Sequence, residues 1–194
     1  MHTSIYPADR IHHRNPETNA VFVRPVSPGD EESLRRMLSR LSRESLYMRF
    51  HAAYPRASKW AVATFANPDR QDGESIVAVA DGEIIGHGMY VLLNGGGDTA
   101  EFAIVVEDGW QARGVGKLLL SALAERARRA GVETFTGAVL GENRRMLGLV
   151  RSIFLEVGYA IVDGAYDVSA SLRPSEPVAG LEALDVARPL GLSA

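Results

Sequence analysis

The amino-acid sequence predicts an α/β fold in which strands and helices share one domain. The first observation is an Asp-Gly pair, Asp81-Gly82, between two apolar runs, which is typical of two antiparallel strands joined by a tight turn. The second is an apolar run, Phe102 to Val106, that leads through a glycine-bearing loop into a helical run, Leu118 to Ala130. Paired strands next to a strand-to-helix connection indicate a sheet flanked by helices.

The N-terminal part of the chain is expected to contain an irregular arm, one strand and a first helix. Residues 1–19 show no periodicity and are interpreted as a flexible arm. The alternating, β-branched stretch Ala20–Val26 predicts a strand. Ser27-Pro28-Gly29-Asp30 has the pattern of a helix start, with a capping serine, a proline at the first position and an acid three residues after the serine. Apolar residues at helical spacing follow at Leu34, Met37, Leu38 and Leu41.

Two more helical pieces and the hairpin occupy the middle of the chain. The helices are predicted over Glu44–Phe50 and Lys59–Phe65, with a break near Pro55. Ser75–Ala80 and Glu83–Leu93 are the two strands of the hairpin.

The rest of the chain predicts further strands and two helices. Residues 94–98 are glycine-rich and are expected to form a mobile loop. The helix after the glycine loop should end at Gly131 and bury Leu118, Leu119, Ala122, Leu123 and Ala127. The other elements are the strand Ala100–Val106, the strand Thr134–Leu140, the helix Glu142–Phe154, and a hairpin of Tyr159–Val162 and Ala165–Leu172 around Asp163-Gly164. Residues 173–194 contain three prolines and are interpreted as a C-terminal tail or a segment that docks on a partner.

The composition excludes several classes of function. The chain has 194 residues, 46% of them hydrophobic and 23% charged, as in an ordinary globular domain. It has no cysteine, which excludes disulfides and thiolate sites, and a net charge of −3 gives no reason to expect a nucleic-acid partner. We expect no metal site and no membrane span. Because the first residues lack the apolar core of a signal peptide, a cytoplasmic location is expected.

The glycine-bearing loop Trp110–Lys117 is the strongest functional signal in the sequence. A loop of this kind between a strand and a helix presents backbone N–H groups to a phosphate. A P-loop would need a glycine where Gln111 stands and a hydroxyl residue where Leu118 stands. A dinucleotide-binding loop would need a third glycine where Leu119 stands. Both alternatives therefore fail, and a plain strand-to-helix turn without a ligand stays open.

The sequence pattern Gln111-x-x-Gly114-x-Gly116 is similar to that of the pyrophosphate loop of the GNAT superfamily of N-acetyltransferases. The order of elements over residues 20–172 and the asparagine at position 143 also resemble that family. The resemblance implies a GNAT fold, with a mixed, mostly antiparallel sheet of six to seven strands flanked by about four helices. It also implies acetyl-CoA as the cosubstrate.

The resemblance further implies which residues contact the coenzyme. The loop would bind the diphosphate, because glycines let it approach the main chain and basic side chains add positive charge. The strand before the loop would pair with the pantetheine arm, and the asparagine and a methionine of the next helix would lie near it, unless the asparagine is only a helix cap. The implied residues are Ile104, Val105, Val106, Gln111, Ala112, Arg113, Gly114, Val115, Gly116, Lys117, Asn143 and Met146.

The family resemblance also suggests a catalytic base. An amine with a pKa of about 10.4 is almost fully protonated at neutral pH, so acetyl transfer needs a group that removes a proton. In some protein acetyltransferases of the family this base is a glutamate at the start of the strand before the loop, and Glu101 matches that position. The alternative is an exposed acid at a strand end. Glu107 and Asp108 are the other candidates.

A general acid is not evident from the sequence. The family often has a tyrosine after the helix asparagine, but the segment 149–151 contains none, and Tyr159 and Tyr166 are expected to pack in the last strands. His87 is interpreted as structural. Residues 47–51 either line the acceptor site or pack the helix.

The acceptor is predicted to be an amine, preferably a protein lysine, because the sequence resembles bacterial protein lysine acetyltransferase domains. Transfer would occur by direct attack in a ternary complex. The alternatives are a small-amine acetyltransferase acting on an aminoglycoside, a polyamine or an amino acid, and a non-catalytic acyl-CoA sensor. No membrane partner is expected, and the sequence does not indicate an oligomeric state.

Overall fold

A computed structural model describes residues 11–13, 20–51, 59–66, 73–93 and 97–173 of the chain. Most of the predicted arm lies outside the described residues, as do residues 174–194 of the predicted tail, the break near Pro55 and residues 94–96 of the predicted loop.

The predicted α/β fold is confirmed, and the described residues form eight strands and five α-helices where six to seven strands and about four helices were expected. The strands are β1 (Ile11–His13), β2 (Val21–Pro25), β3 (Gly73–Ala80), β4 (Glu83–Leu92), β5 (Thr99–Val106), β6 (Thr134–Leu140), β7 (Val157–Val162) and β8 (Ala165–Ser171). The helices are α1 (Glu31–Arg40), α2 (Arg43–Phe50), α3 (Lys59–Ala66), α4 (Val115–Arg129) and α5 (Arg144–Ile153). The extra strand is β1, which lies in the segment expected to be an arm and pairs with β2.

The strands form one sheet in the order β1-β2-β3-β4-β5-β6-β8-β7. All neighbouring pairs are antiparallel except β5 and β6, which are parallel. That parallel pair covers only three positions, from Thr99 opposite Thr134 to Glu101 opposite Thr136. Beyond Glu101 the two strands no longer pair with each other, and we call this point the fork. The fork opens one edge of β5 in the middle of the sheet.

The two predicted hairpin turns are present and have the backbone that their sequences require. Asp81 and Gly82 have φ angles of 51° and 78°, and Asp163 and Gly164 have φ angles of 49° and 82°. Two consecutive residues with positive φ define the type I′ turn, which suits the twist of the flanking strands.

The start of α1 also follows its sequence pattern. Pro28–Asp30 form one 3₁₀ turn, and the Asp30 carboxylate accepts a hydrogen bond from the Ser27 backbone N–H at 2.7 Å. Arg24 donates two further hydrogen bonds to Asp30, at 2.6 and 2.7 Å. These contacts tie the end of β2 to the first helix.

The sheet has an apolar core on each face. Helices α4 and α5 cover one face, where Leu119, Leu123 and Phe135 are fully buried. Leu118, predicted to be buried, is only partly so, and Leu120 is buried instead. Helices α1 to α3 cover the other face, and Phe65 lies at its centre. Among the described residues no helix is long and apolar enough to cross a membrane.

Candidate active site

A cleft of about 760 Å³ opens where β5 and β6 separate. It is walled by α2, β5, the loop after β5, the start of α4, and α5. The predicted coenzyme residues line this cleft except Arg113 and Val115. The lining residues that the sequence predicted are Ile104, Val105, Val106, Gln111, Ala112, Gly114, Gly116, Lys117, Asn143 and Met146.

Strand β5 presents an open backbone edge to the cleft. On one side, residues 104–106 pair with residues 86–88 of β4. On the other side, the ladder to β6 stops at Glu101. Backbone N–H and C=O groups need hydrogen-bond partners, so this edge can accept a ligand that carries amide groups. Strand β5 is therefore open at the residues that were expected to pair with the pantetheine arm.

The loop after β5 has the backbone of an anion-binding turn. Ala112 and Gly114 both have positive φ angles, of 57° and 86°. Helix α4 begins directly after Gly114, and the first N–H groups of a helix have no partner within it. Gly116 has a different role, because a Cβ atom at this position would lie 3.3 Å from the Leu149 side chain of α5.

Two predicted loop residues do not line the cleft. The Arg113 guanidinium lies over the ring of Trp110, with 5.5 Å between its central carbon and the ring centroid. Val115 is buried in the core beneath α4, so its side chain cannot contact a ligand. The basic side chains that do line the cleft are Lys117, Arg144 and Arg145, together with Arg49 of α2.

The Gln111 side chain joins three walls of the cleft. Its Nε2 donates hydrogen bonds to Ser45 Oγ on α2 and to the Val106 carbonyl on β5, both at 3.0 Å. Its Oε1 accepts a hydrogen bond from Arg145 Nη1 on α5 at 2.7 Å. The glutamine of the loop pattern is therefore a cross-link between elements, a role that the sequence pattern does not indicate.

Asp108 anchors the beginning of α2. Its carboxylate accepts hydrogen bonds from the Ser42 backbone N–H (2.9 Å), from Ser42 Oγ (2.7 Å) and from Ser45 Oγ (2.9 Å). Burial acts to raise the pKa of Asp108, but these hydrogen bonds outweigh it and the pKa lies below its usual value. Glu107 pairs with Arg40 at 2.9 Å. Both alternative bases are thus engaged in structural contacts.

Asn143 is the N-cap of α5. Its Oδ1 accepts a hydrogen bond from the Met146 backbone N–H at 3.1 Å, so the capping alternative is correct for this part of the side chain. The residue also lines the cleft, because the cap fixes the first turn of α5 at the cleft edge.

Glu101 stands at the fork itself. It is exposed, and it is the last residue of β5 that pairs with β6. Its cross-strand partner on β4 is Val91. It shares a face of β5 with Ala103 and Val105, the face that α1 to α3 cover. Glu101 does not line the cleft, and its carboxylate lies at the end remote from the glycine loop.

Arg49, in the last turn of α2, belongs to the segment 47–51 that was expected either to line the acceptor site or to pack the helix, and it lines the cleft together with Met48. Its Nε is buried and has no hydrogen-bond partner among the described residues, and Nη2 contacts Met89 Sδ at 3.6 Å. The guanidinium lies over the rings of Phe50 (5.0 Å) and Phe65 (5.3 Å). Burial lowers the pKa of Arg49 to about 10, while the negative charge of Glu101 acts in the opposite direction. The sequence indicated the segment 47–51 as a whole, but not the burial of this guanidinium.

His87 is structural, as predicted. The ring is fully buried in β4 and stacks on Phe65, with ring centroids 3.9 Å apart. Burial lowers its pKa well below the usual value, and the nearby charge of Arg49 lowers it further, while the Phe65 backbone acts against both.

The described lining of the cleft contains no tyrosine. The Tyr159 hydroxyl accepts a hydrogen bond from Arg151 Nε at 3.0 Å, and its ring packs edge-on against Tyr166, so both pack in the last strands as expected. The described residues also contain no cluster of His, Asp and Glu suited to a metal ion.

Residues 36–153 match the model of the acetyltransferase (GNAT) family, which covers more than half of the chain. The chain belongs to the GNAT family. The matched stretch contains α2, the fork, the glycine loop, α4 and α5, which are the elements that form the cleft. The resemblance to the GNAT family, which the sequence pattern of the loop indicated, is confirmed for the family and for the fold.

Solved and curated GNAT proteins resemble this chain over different lengths. The crystal structure of the GNAT domain of S. lividans PAT superposes with a TM-score of 0.77 and 31% identity, covering 86% of this chain and 99% of that one. Acetyltransferase Pat of Mycolicibacterium smegmatis is 28% identical over 80% of this chain and 48% of its own length. The L-methionine sulfoximine/L-methionine sulfone acetyltransferase of Pseudomonas aeruginosa is 32% identical over 45% of this chain and 54% of its own length. The chain thus spans about half the length of these curated relatives.

Proposed function

We propose that this GNAT domain is an acyl-CoA-dependent N-acetyltransferase that acetylates an amine, preferably the side chain of a protein lysine. The observation that carries the proposal is the fork, with a glycine loop at one end of the open β5 edge and a carboxylate at the other. A linear ligand with a diphosphate at one end and amide groups along its length fits this arrangement.

The residues around the cleft suit such a ligand chemically. The backbone of Ala112, Gly114 and the first turn of α4 would hold the diphosphate, with positive charge from Lys117 and Arg145. The open edge of residues 104–106 would hydrogen-bond the amides of the pantetheine arm. Val115 would contribute only its backbone, and Arg113 would need to leave the Trp110 ring to reach a phosphate.

Glu101 would act as the general base. It would take a proton from the acceptor ammonium, directly or through a water, and the free amine would attack the thioester carbonyl. The C–N bond forms as the C–S bond breaks, the coenzyme leaves as a thiolate, and the excess proton on the attacking nitrogen passes to that thiolate or to water. Because a thiol has a pKa of about 8.5, this group can leave without a tyrosine acid. The support for Glu101 is its position at the fork and the engagement of Glu107 and Asp108 elsewhere.

The likeness to Pat and to the S. lividans PAT domain favours a protein lysine as the acceptor, since the sequence also resembles protein lysine acetyltransferase domains. The second candidate is a small amine. It is favoured by the similarity to an acetyltransferase of L-methionine sulfoximine, although that similarity covers less than half of this chain. A non-catalytic acyl-CoA sensor is the third reading, which the lack of a tyrosine in the described cleft leaves open.

Two measurements on the full chain test the proposal. Acetyl-CoA at a hundred times its dissociation constant should stabilise the folded chain by about 2.7 kcal/mol, seen as a rise in Tm. Turnover should then be measured on matched panels of lysine peptides and small amines. No rise in Tm at millimolar acetyl-CoA contradicts the whole proposal. A rise in Tm with turnover only on small amines contradicts the lysine acceptor, and a rise with no turnover on either panel supports the sensor.

A further inference from the structure

Arg49 is a positively charged group that forms no described ion pair and yet lines the cleft. The described chain contains no carboxylate within ion-pair distance of its guanidinium. We infer that Arg49 is a carboxylate-binding subsite, so that the preferred acceptor carries a carboxylate close to the amine that is acetylated. This inference rests on the proposed function and names a property of its acceptor.

The guanidinium is held in place by neighbours that do not neutralise it. The guanidinium lies over the rings of Phe50 and Phe65, and the Met89 sulfur is a weak acceptor. Burying a cation without a partner is costly, which makes such a site receptive to an anion. Since guanidinium matches a carboxylate with two parallel N–H groups, a carboxylate is the ligand that best fits this geometry.

The path of α2 fixes where Arg49 lies along the cleft. Asp108 holds the start of α2 just beyond the end of β5, and Ser45 contacts Gln111 of the loop. Arg49 lies one helical turn further, about 6 Å from Ser45 along the axis and away from the glycine loop. There it contacts Met89, which pairs with Ala103 of β5. Arg49 is therefore at the acceptor end of the cleft.

Arg49 and Glu101 flank the acceptor end with opposite charges. Ala103 and Glu101 are two residues apart on the same face of β5, which is about 7 Å along a strand. The charge of Glu101 also acts on Arg49. An acceptor whose amine faces Glu101 can direct a neighbouring carboxylate to Arg49. Either the α-carboxylate of a free amino acid or an Asp or Glu side chain beside a protein lysine supplies this group.

The first test compares acceptors that differ only in charge. One pair is a lysine peptide with Glu or Gln next to the lysine, and the other is a free α-amino acid and its carboxamide. The carboxylate form should have a kcat/KM about 10- to 100-fold higher, the effect of one charge-assisted hydrogen bond. Arg49→Met should abolish this preference and Arg49→Lys should keep part of it. Arg36→Met, on the exposed face of α1, is the control and should keep all of it.

The peptide and amino-acid arms separate the two sources of the carboxylate. A preference in either arm that Arg49→Met removes supports the subsite and tells which kind of acceptor uses it. Equal kcat/KM for both members of both pairs, or a preference that survives Arg49→Met, overturns the inference. If no Tm shift occurs with acetyl-CoA, the proposed function has failed, which is a separate result.

A second measurement does not depend on turnover or on knowing the acceptor. In the ¹⁵N spectrum of the CoA-saturated chain, the Arg49 Nε–H resonance is assigned by its disappearance in Arg49→Lys. Titration with glutarate should shift this resonance, whereas the neutral diamide glutaramide should not. No shift with glutarate, or equal shifts with both probes, contradicts a carboxylate subsite.

Discussion

Gln111 Nε2 donates a hydrogen bond to Ser45 Oγ at 3.0 Å and so joins the glycine loop to helix α2. Ser45 Oγ in turn donates a hydrogen bond to the Asp108 carboxylate at 2.9 Å, and Gln111 Oε1 accepts a hydrogen bond from Arg145 at 2.7 Å. The two walls of the cleft and the loop between them are thus fixed by one network of side chains. Networks of this kind stabilise by more than their separate bonds, and double-mutant cycles measure the difference.

A double-mutant cycle on Ser45→Ala and Gln111→Ala should therefore reveal coupling. The double variant should lose less free energy of unfolding than the sum of the two single variants. We expect this difference to be about 0.5–1.5 kcal/mol, the net value of one hydrogen bond. Urea unfolding of the four proteins measures it. Ser152→Ala paired with Gln111→Ala is the control, because within the described part of the chain Ser152 bonds the Leu149 carbonyl and not Gln111. Additive losses in the Ser45 cycle would show that the contact carries no energy of its own.

Glu101→Gln should separate coenzyme binding from turnover. The variant keeps the size of the side chain but cannot accept a proton, so kcat should fall at least about 100-fold at neutral pH. The rise in Tm with acetyl-CoA should be unchanged, because Glu101 lies outside the cleft lining. Glu156→Gln, an exposed acid before β7, is the matched control and should leave turnover as it is. Unchanged turnover in Glu101→Gln would show that Glu101 is not the general base but an exposed acid at a strand end.

Gly114→Ala should destabilise the chain through its backbone alone. Its φ of 86° lies in the region that residues with a Cβ atom avoid, at a cost of about 1–2 kcal/mol. Gly109→Ala, in the same loop, is the control, since a Cβ there meets nothing within 4 Å. Urea unfolding should give a loss of that size for Gly114→Ala and a change near zero for Gly109→Ala. Equal changes would mean that position 114 tolerates a side chain.

His87 should make the folded chain sensitive to mild acid. The unfolded chain binds a proton at this histidine below about pH 6.5, whereas burial keeps the folded ring neutral. Stability that is fully present above pH 6.5 should therefore fall as the pH is lowered, by up to about 1.4 kcal/mol per pH unit. His87→Leu should remove this slope between pH 6.5 and 5, measured by urea unfolding at each pH.

The control for that slope is His51→Asn, because His51 is exposed and its left-handed φ of 53° suits asparagine. This variant should keep the pH dependence of the parent chain. Parallel stability curves for the parent and His87→Leu would show that His87 is protonated in the folded state as well.

Local signals in the sequence were enough to predict most of the fold. The turns at Asp81-Gly82 and Asp163-Gly164 need positive φ angles, and an Asp-Gly pair is a strong sequence signal for such a turn. The family pattern at Gly114 and Gly116 likewise indicated the loop and, through it, the cleft. Strand β1 was missed because three residues are too few for a period, and only pairing with β2 identifies them.

The chemistry of the cleft was harder to predict, because it depends on contacts between distant segments. Arg49 is buried only because Met89 and Phe65 approach it from β4 and α3. Gln111 was assigned from its place in the loop pattern, but its partners lie on α2 and α5. The position of a residue in a motif indicates that it lies at the site, whereas the direction of its side chain is set by the packing around it.

The fork has a consequence for the folded chain itself. Where β5 leaves β6, the sheet lacks one strand over a few residues, and a bound coenzyme would act as that missing strand. Each catalytic cycle would then complete and reopen the sheet. Because a ligand of the folded state adds to its stability in proportion to the logarithm of its concentration, the resistance of this protein to unfolding would rise and fall with the coenzyme supply around it.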